Sequence, residues 1–446
     1  MGESFLRFYN ECLPFTLTDA QKRVVREIRK DVSTGSQMNR LVQGDVGSGK
    51  TMVALLCCLL AVDNHFQACI MAPTEILAEQ HYASISAYLE KLPLTVELLT
   101  GNVKGKRRKM VLQGVSDGSV DILVGTHALI EPNVVFSNVG LVVIDEQHRF
   151  GVKQRAKLWA KNTKPPHILV MTATPIPRTL AMTVYGDLDV SVIDQLPPGR
   201  KPIQTVHYRQ SDREKLYQGM LYQLQLGRQV YVVYPLIKEN EKLDLHDLQN
   251  GYEQLVSVFK NYKVGMVHGK MKPAEKEEAM ADFKAQKTQI LVSTTVIEVG
   301  VNVPNASVMV IENAERFGLA QLHQLRGRVG RGAEQSYCIL MTKDKLAEHS
   351  QRRMQVLVES TDGFVIAEED MKLRGPGDLE GTAQSGMPFE LKIANIVKDQ
   401  DLMELAREAA KEVLEHDPQQ TLPQNAIVWS HLDMLKKTQI NFSAIS

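Results

Sequence analysis

No apolar run in this sequence is long enough to cross a membrane. The longest, Met52 to Val62, falls well short of the roughly 20 residues that a span requires and suits a buried helix better. Cysteine is scarce: Cys12, Cys57, Cys58, Cys69 and Cys338 form no C-x-x-C pair and have no histidine at ligand spacing. That spacing excludes a zinc site or a disulfide framework and predicts buried thiols in a reducing cytosol. Charge of one sign is not in excess, with 52 basic against 52 acidic residues, so no global positive field announces a nucleic-acid partner. Any such contact has to come from local patches. The start, Met1-Gly-Glu-Ser-Phe-Leu6, lacks the hydroxyl of an acylation signal and no charged-then-apolar leader follows, so the expected location is the cytoplasm.

What is present is a chain of 446 residues, 43% apolar and 23% charged, enough for full-sized cores. Its length suits roughly three domains rather than one. Short β-branched runs alternate with helical stretches: Ala68–Ala72, Ile122–Val124, Leu141–Ile144, Ile168–Met171, Val230–Val233, Ile290–Val292, Val308–Ile311 and Cys338–Met341. Near-continuous apolar strands separated by helices predict parallel sheets covered on both faces. The pattern restarts after Leu196-Pro-Pro-Gly-Arg200, a stiff, helix-breaking linker. Beyond Thr342 it stops, and Lys343 to Thr361 is expected to form a charged amphipathic helix. The expected class is α/β: two tandem parallel-sheet domains, residues 1–197 and 198–345, then a small, mainly helical region, 346–446.

Gly44-Asp-Val-Gly47-Ser48-Gly49-Lys50-Thr51 follows the apolar Leu41-Val42 and opens an apolar helix. This is the strand, glycine-rich loop and helix of a phosphate-binding P-loop. Its glycines let backbone N–H groups close around phosphates, Lys50 reaches the β- and γ-phosphates of ATP, and Thr51 holds Mg²⁺. A second strand, Leu141 to Ile144, ends in Asp145-Glu146-Gln-His148, at the strand end that faces the ligand crevice in such sheets. Asp145 can hold Mg²⁺, and Glu146 can orient or deprotonate the attacking water. The second domain has no P-loop but carries Gln324-Leu-Arg-Gly-Arg328-Val-Gly-Arg331. Spaced arginines there suit a finger role, Arg328 and Arg331 meeting the γ-phosphate across the cleft, with Gln324 among the catalytic groups.

With these motifs in order, the chain resembles a superfamily 2 helicase with two RecA-like domains. The resemblance implies an adenine-reading motif in Leu17-Thr-Asp-Ala-Gln21 with Phe15 before it, and a coupling motif in Thr172-Ala-Thr174. It also implies backbone-tracking contacts to DNA at Thr74, Thr100, Thr126, His127, His268 and Thr294. Short hydroxyl and backbone N–H groups suit phosphate contacts that hold a strand without reading it. The basic run Lys104-Gly-Lys-Arg-Arg-Lys109 has two readings, a grip on DNA or a solvated helix face.

Longer strings resemble the RecG branched-DNA helicases: Asp145–Gly151, Val233–Ile237, Glu241–Asp244, Gly363–Asp370, Leu373–Asp378 and Gln384–Gly386. The C-terminal strings resemble a translocation hairpin shared with the transcription-repair coupling factor, which implies coupling roles for Arg353, Arg374 and Gln384. By this resemblance the chain is an ATP-dependent helicase or duplex-DNA translocase acting on forks and junctions, with single-stranded DNA-binding protein as a further partner. RecG proteins also carry an N-terminal wedge domain that this chain does not show, so motor activity is expected here and strand separation is in question. Two rivals stay open: a coupling-factor-like translocase, and a nucleotide-gated DNA-binding module with little unwinding.

Overall fold

Residues 2–146, 162, 164–176, 188–197, 199, 201–235, 241–294, 303–330, 332, 334–374 and 399–438 are described by a computed structural model. Among them, the β-branched runs form two wholly parallel sheets. The first contains β1 (Asn39–Gly44), β2 (Gln67–Met71), β3 (Val96–Leu99), β4 (Ile122–Gly125), β5 (Val139–Asp145), β6 (His167–Thr172) and β7 (Asp189–Ile193). Its spatial order is β3-β4-β2-β5-β6-β1-β7. The second contains β8 (Gln204–Arg209), β9 (Gln229–Val233), β10 (Val264–Val267), β11 (Ile290–Ser293), β12 (Ala306–Ile311) and β13 (Tyr337–Thr342), in the order β10-β11-β9-β12-β13-β8.

Parallel strands need crossover helices, which cover both faces and bury the strands between them. Two apolar clusters accordingly flank each sheet. The helix Lys50–Val62 is buried from Met52 through Leu60, which is why its sequence is apolar on every side rather than striped. The helices Glu348–Glu359 and Gly363–Arg374 form a hairpin, with Met354, Val356, Leu357 and Ile366 sunk into the second sheet's core. The first of these begins at Glu348, not at Lys343 as the charge pattern suggests. Residues 343–347 form a loop, and Asp344 there accepts the Ser211 N–H at 3.1 Å.

Two further helices, Gln400–His416 and Ala426–Thr438, are tied by the buried Asp417. Its carboxylate accepts the Trp429 indole N–H (2.8 Å), the Asn425 amide and the backbone N–H groups of Thr421 and Leu422. No helix of the described residues is long and apolar enough to cross a membrane.

Candidate functional site between the two lobes

The loop after β1 is built by glycine conformation. Gly47 and Gly49 have φ of 78° and 84°, a region that L side chains rarely enter. With them the chain turns back so that Lys50 starts the helix. Lys50 Nζ donates to the Gly44 and Asp45 carbonyls at 2.6 and 3.0 Å, holding the loop closed around its own backbone. Ser48 is fully buried and its hydroxyl has no partner among the described residues.

A cavity of about 690 Å³ opens above this loop. Gly47, Gly49, Lys50 and Thr51 line it, with Phe15, Asp145 and Glu146 from the first lobe and Arg328, Gly330 and Gly332 from the second. Asp145 ends β5, where His81 Nε2 donates to it at 2.8 Å. Burial works to raise the Asp145 carboxyl, but the His81 hydrogen bond and charge, with Lys50, hold it below the ordinary carboxylate range. Glu146 beside it goes the other way. Burial and the repulsion of Asp145 raise it, and Lys50, the Ala173 N–H and Arg328 only partly oppose them. Its backbone has φ of 54°, a strained value for a side-chain-bearing residue and one that concentrates at functional sites.

The second lobe meets the first around this cavity. His323 Nε2 lies 2.6 Å from Asp45 Oδ1, Gln324 Nε2 donates to Thr174 Oγ1 at 2.9 Å, and Gly327 packs against Val46. Thr174 in turn donates its backbone N–H to Thr172 Oγ1 at 3.1 Å. The motif spacing puts Gln324 with the catalytic groups; in the structure its amide is committed to Thr174, so it joins the contact layer between lobes instead of the cavity wall. The motif also puts Gln21 at the cavity. Gln21 is buried beneath the loop, accepting the Thr18 N–H and donating to the Ser48 carbonyl at 2.8 Å. Both ends of its amide are used by this capping box and loop contact, while Phe15 is the member of that motif at the wall.

The remaining candidates fall into two rows at the carboxyl ends of neighbouring strands. Thr74, Thr100, Thr126 and His127 follow β2, β3 and β4; His268 and Thr294 follow β10 and β11. Thr74 caps the helix Glu75–Leu89 by accepting the Leu77 N–H. The hydroxyls of Thr100, Thr126 and Thr294 and the Nδ1 of His268 are buried with no hydrogen-bond partner among the described residues. In the basic run, Arg107 pairs with Glu97 and Arg108 with Glu131 at 2.7 Å.

In the hairpin, Arg353 donates to the Phe317 and Glu315 carbonyls at 2.7 and 2.9 Å. Arg331, Gln384 and the side chain of Arg374 lie outside the described residues. Sequence reasoning missed His81, which fixes Asp145, and His323 and Arg326, which lie outside the cavity wall in the contact between the lobes.

Family models match three stretches of the chain in order. The DEAD/DEAH box helicase family matches residues 18–183 and the helicase conserved C-terminal domain matches 212–333. Residues 360–446 match the C-terminal part of domain 3 of ATP-dependent DNA helicase RecG. The RecG protein of Synechocystis sp. is 54% identical over 414 residues, covering 93% of this chain and 50% of that protein. The Bacillus subtilis RecG protein is 51% identical over 432 residues, covering 97% of this chain and 63% of that protein. A solved structure of RecG bound to a three-way DNA junction superposes with TM-score 0.76 at 44% identity, over 91% of this chain and 52% of that one.

Two parallel-sheet lobes that share a phosphate-loop cleft, with these two domain matches, define the class as a tandem-domain helicase fold. The C-terminal match and the relatives narrow this, and the chain belongs to the RecG family. It spans about half to two-thirds of the length of these curated relatives.

Proposed function

We propose that this chain is an ATP-hydrolysing motor that moves along duplex DNA at branched junctions, the motor portion of a RecG-type helicase. One observation carries the reading: Lys50, Asp145 and Glu146 from one lobe and Arg328 from the other line a single cavity. Hydrolysis then depends on how the lobes sit against each other, and so does motion.

The chemistry follows from the side chains. Lys50, released from its loop carbonyls, supplies counter-charge to the β- and γ-phosphates. Thr51 and Asp145 are hard oxygen donors of the kind that suits Mg²⁺, which when bound neutralises phosphate charge. Asp145 is held ionised, as such a role needs. Glu146, with raised proton affinity, is the better base for the attacking water. Arg328, joined by Arg331, stabilises charge on the transferred phosphoryl group, a contribution worth roughly 10³ to 10⁵ in rate. Phe15 is available to stack on the base, and residues 1–197, 198–345 and 346–446 serve as nucleotide lobe, finger lobe and translocation region.

The DNA reading rests on the two rows of strand-end loops. Buried hydroxyls with no partner among the described residues are costly to leave that way, and a phosphate oxygen reaching them would satisfy them. The RecG structure that this chain resembles holds a three-way junction, which supports branched DNA as the substrate.

ATP turnover measured with duplex, single-stranded and forked DNA side by side tests the proposal. Stimulation by duplex or forked DNA over single strands is the expected result. No turnover with any of them would leave a binding module in its place.

A further inference from the structure

Asp45 does something that phosphate chemistry does not require. Its Oδ1 accepts from Val46 N–H at 2.7 Å and lies 2.6 Å from His323 Nε2 of the second lobe. The other ring nitrogen of His323, Nδ1, lies 2.8 Å from Arg326 Nη2. A guanidinium nitrogen can only donate, so Nδ1 accepts and the ring proton sits on Nε2, where it is given to Asp45. His323 is therefore a neutral bridge with one donor and one acceptor.

Arg326 carries the connection onward. Nη1 donates to the Leu357 and Ser360 carbonyls at 2.9 and 2.8 Å, and Nη2 to the Thr361 carbonyl at 3.2 Å. Those carbonyls end the first helix of the C-terminal hairpin and form the turn to the second. Gly363 closes the circuit: a Cβ there would fall 2.6 Å from His323 Nε2 and 2.5 Å from Pro175 Cγ, beside Thr174. Gly363, at the head of the second hairpin helix, thus packs directly on the ring that reaches the phosphate loop.

Arg326 is only 3% exposed, and its described partners are an imidazole, a hydroxyl and carbonyls, with no carboxylate among them. Burial weakens the hold of this guanidinium on its charge, and Cys338 and then Asp45 oppose that in part.

We propose that His323 is the positioning residue that reports the state of the phosphate loop to the hairpin. The proposal rests on the nucleotide reading above. Lys50 holds the Gly44 and Asp45 carbonyls, and it has to leave them to reach incoming phosphates. That release changes the footing of Asp45, and the buried ring and guanidinium transmit the change to the turn at 357–361.

The test measures the distance between labels on the exposed sides of the helices Gly105–Asp117 and Glu348–Glu359, with and without a non-hydrolysable ATP analogue and Mg²⁺. Binding of a fluorescent ATP is followed in parallel. The parent is expected to change distance on binding. His323→Ala is expected to bind nucleotide like the parent but to lose the distance response. His323→Gln restores the response, because its amide offers the same donor and acceptor. Gly363→Ala, which presses on the ring from the hairpin side, gives a second variant with the same loss should His323→Ala fold poorly. A parental response in both His323→Ala and Gly363→Ala, or no rescue by glutamine, overturns the proposal. A parent that binds no nucleotide overturns the functional reading together with it, and the binding arm tells the two failures apart.

Discussion

Asp145 and Glu146 are sequential residues with opposite acidity, and the difference comes from what each touches. Asp145 has His81 and Lys50; Glu146 has burial and a negative neighbour. If Glu146 is the base, kcat falls on acidification with a midpoint above the ordinary glutamate value of about 4.3. A pH profile with its acid limb at or below that value removes Glu146 from the role. The sign for stability follows as well. A carboxyl raised in the folded state favours folding when protonated, and that contribution is lost as pH rises through the folded value. Glu146→Gln should therefore abolish turnover yet raise the melting temperature at neutral pH, as read by calorimetry.

Arg328→Ala should bind ATP within a few-fold of the parent and lose roughly 10³ or more of DNA-stimulated kcat. Unchanged single-turnover rates would dismiss it as a finger. These motif residues were legible because their chemistry ties them to a short local pattern. His81 stands 64 positions from Asp145, and His323 stands 278 from Asp45. No local pattern joins such pairs, since only the sheet order brings them together.

Among the elements, the runs singled out in the sequence are interior strands of the two sheets. The strands without a legible signal, β3, β7, β8 and β10, are the four edges. An edge strand has one neighbour and partial cover, so it tolerates Glu97, Asp189 or His207 where an interior strand carries Val and Ile. The P-loop helix was legible for the opposite reason, being apolar throughout. Its entry depends on Gly49, where φ is 84° and a Cβ would fall 2.2 Å from the Gln21 amide. Gly49→Ala should cost about 1–3 kcal/mol of stability by denaturant titration and weaken ATP binding with it. Parental stability would mean that the loop has room the geometry denies.

For the whole molecule, zero net charge means that the proposed DNA binding falls to local groups. Thr100→Val, Thr126→Val and Thr294→Val remove hydroxyls that have no partner among the described residues and keep the shape, so the melting temperature should hold or rise. Duplex affinity should fall about five-fold or more per site, on the scale of roughly 1 kcal/mol for a net hydrogen bond. Equal affinity in a fluorescence titration would remove that row from the DNA path. Two tandem α/β domains and their shared cleft were legible from the motif order. The contact layer of Gln324 with Thr174 and Gly327 with Val46 was not, because it depends on how the lobes dock.

The order β3-β4-β2-β5-β6-β1-β7 has a consequence for traffic within the first lobe. Its candidate backbone-gripping loops all hang from β3, β4 and β2, and its fuel-handling loops from β5, β6 and β1. One hydrogen-bonded slab carries both banks, and inside the lobe a polar thread joins them, running from Thr74 along its helix to His81 and so to Asp145. Cut away from its companion, this lobe would hold fuel and track as two tenants sharing one party wall, with the wider corridor between them supplied by the second lobe.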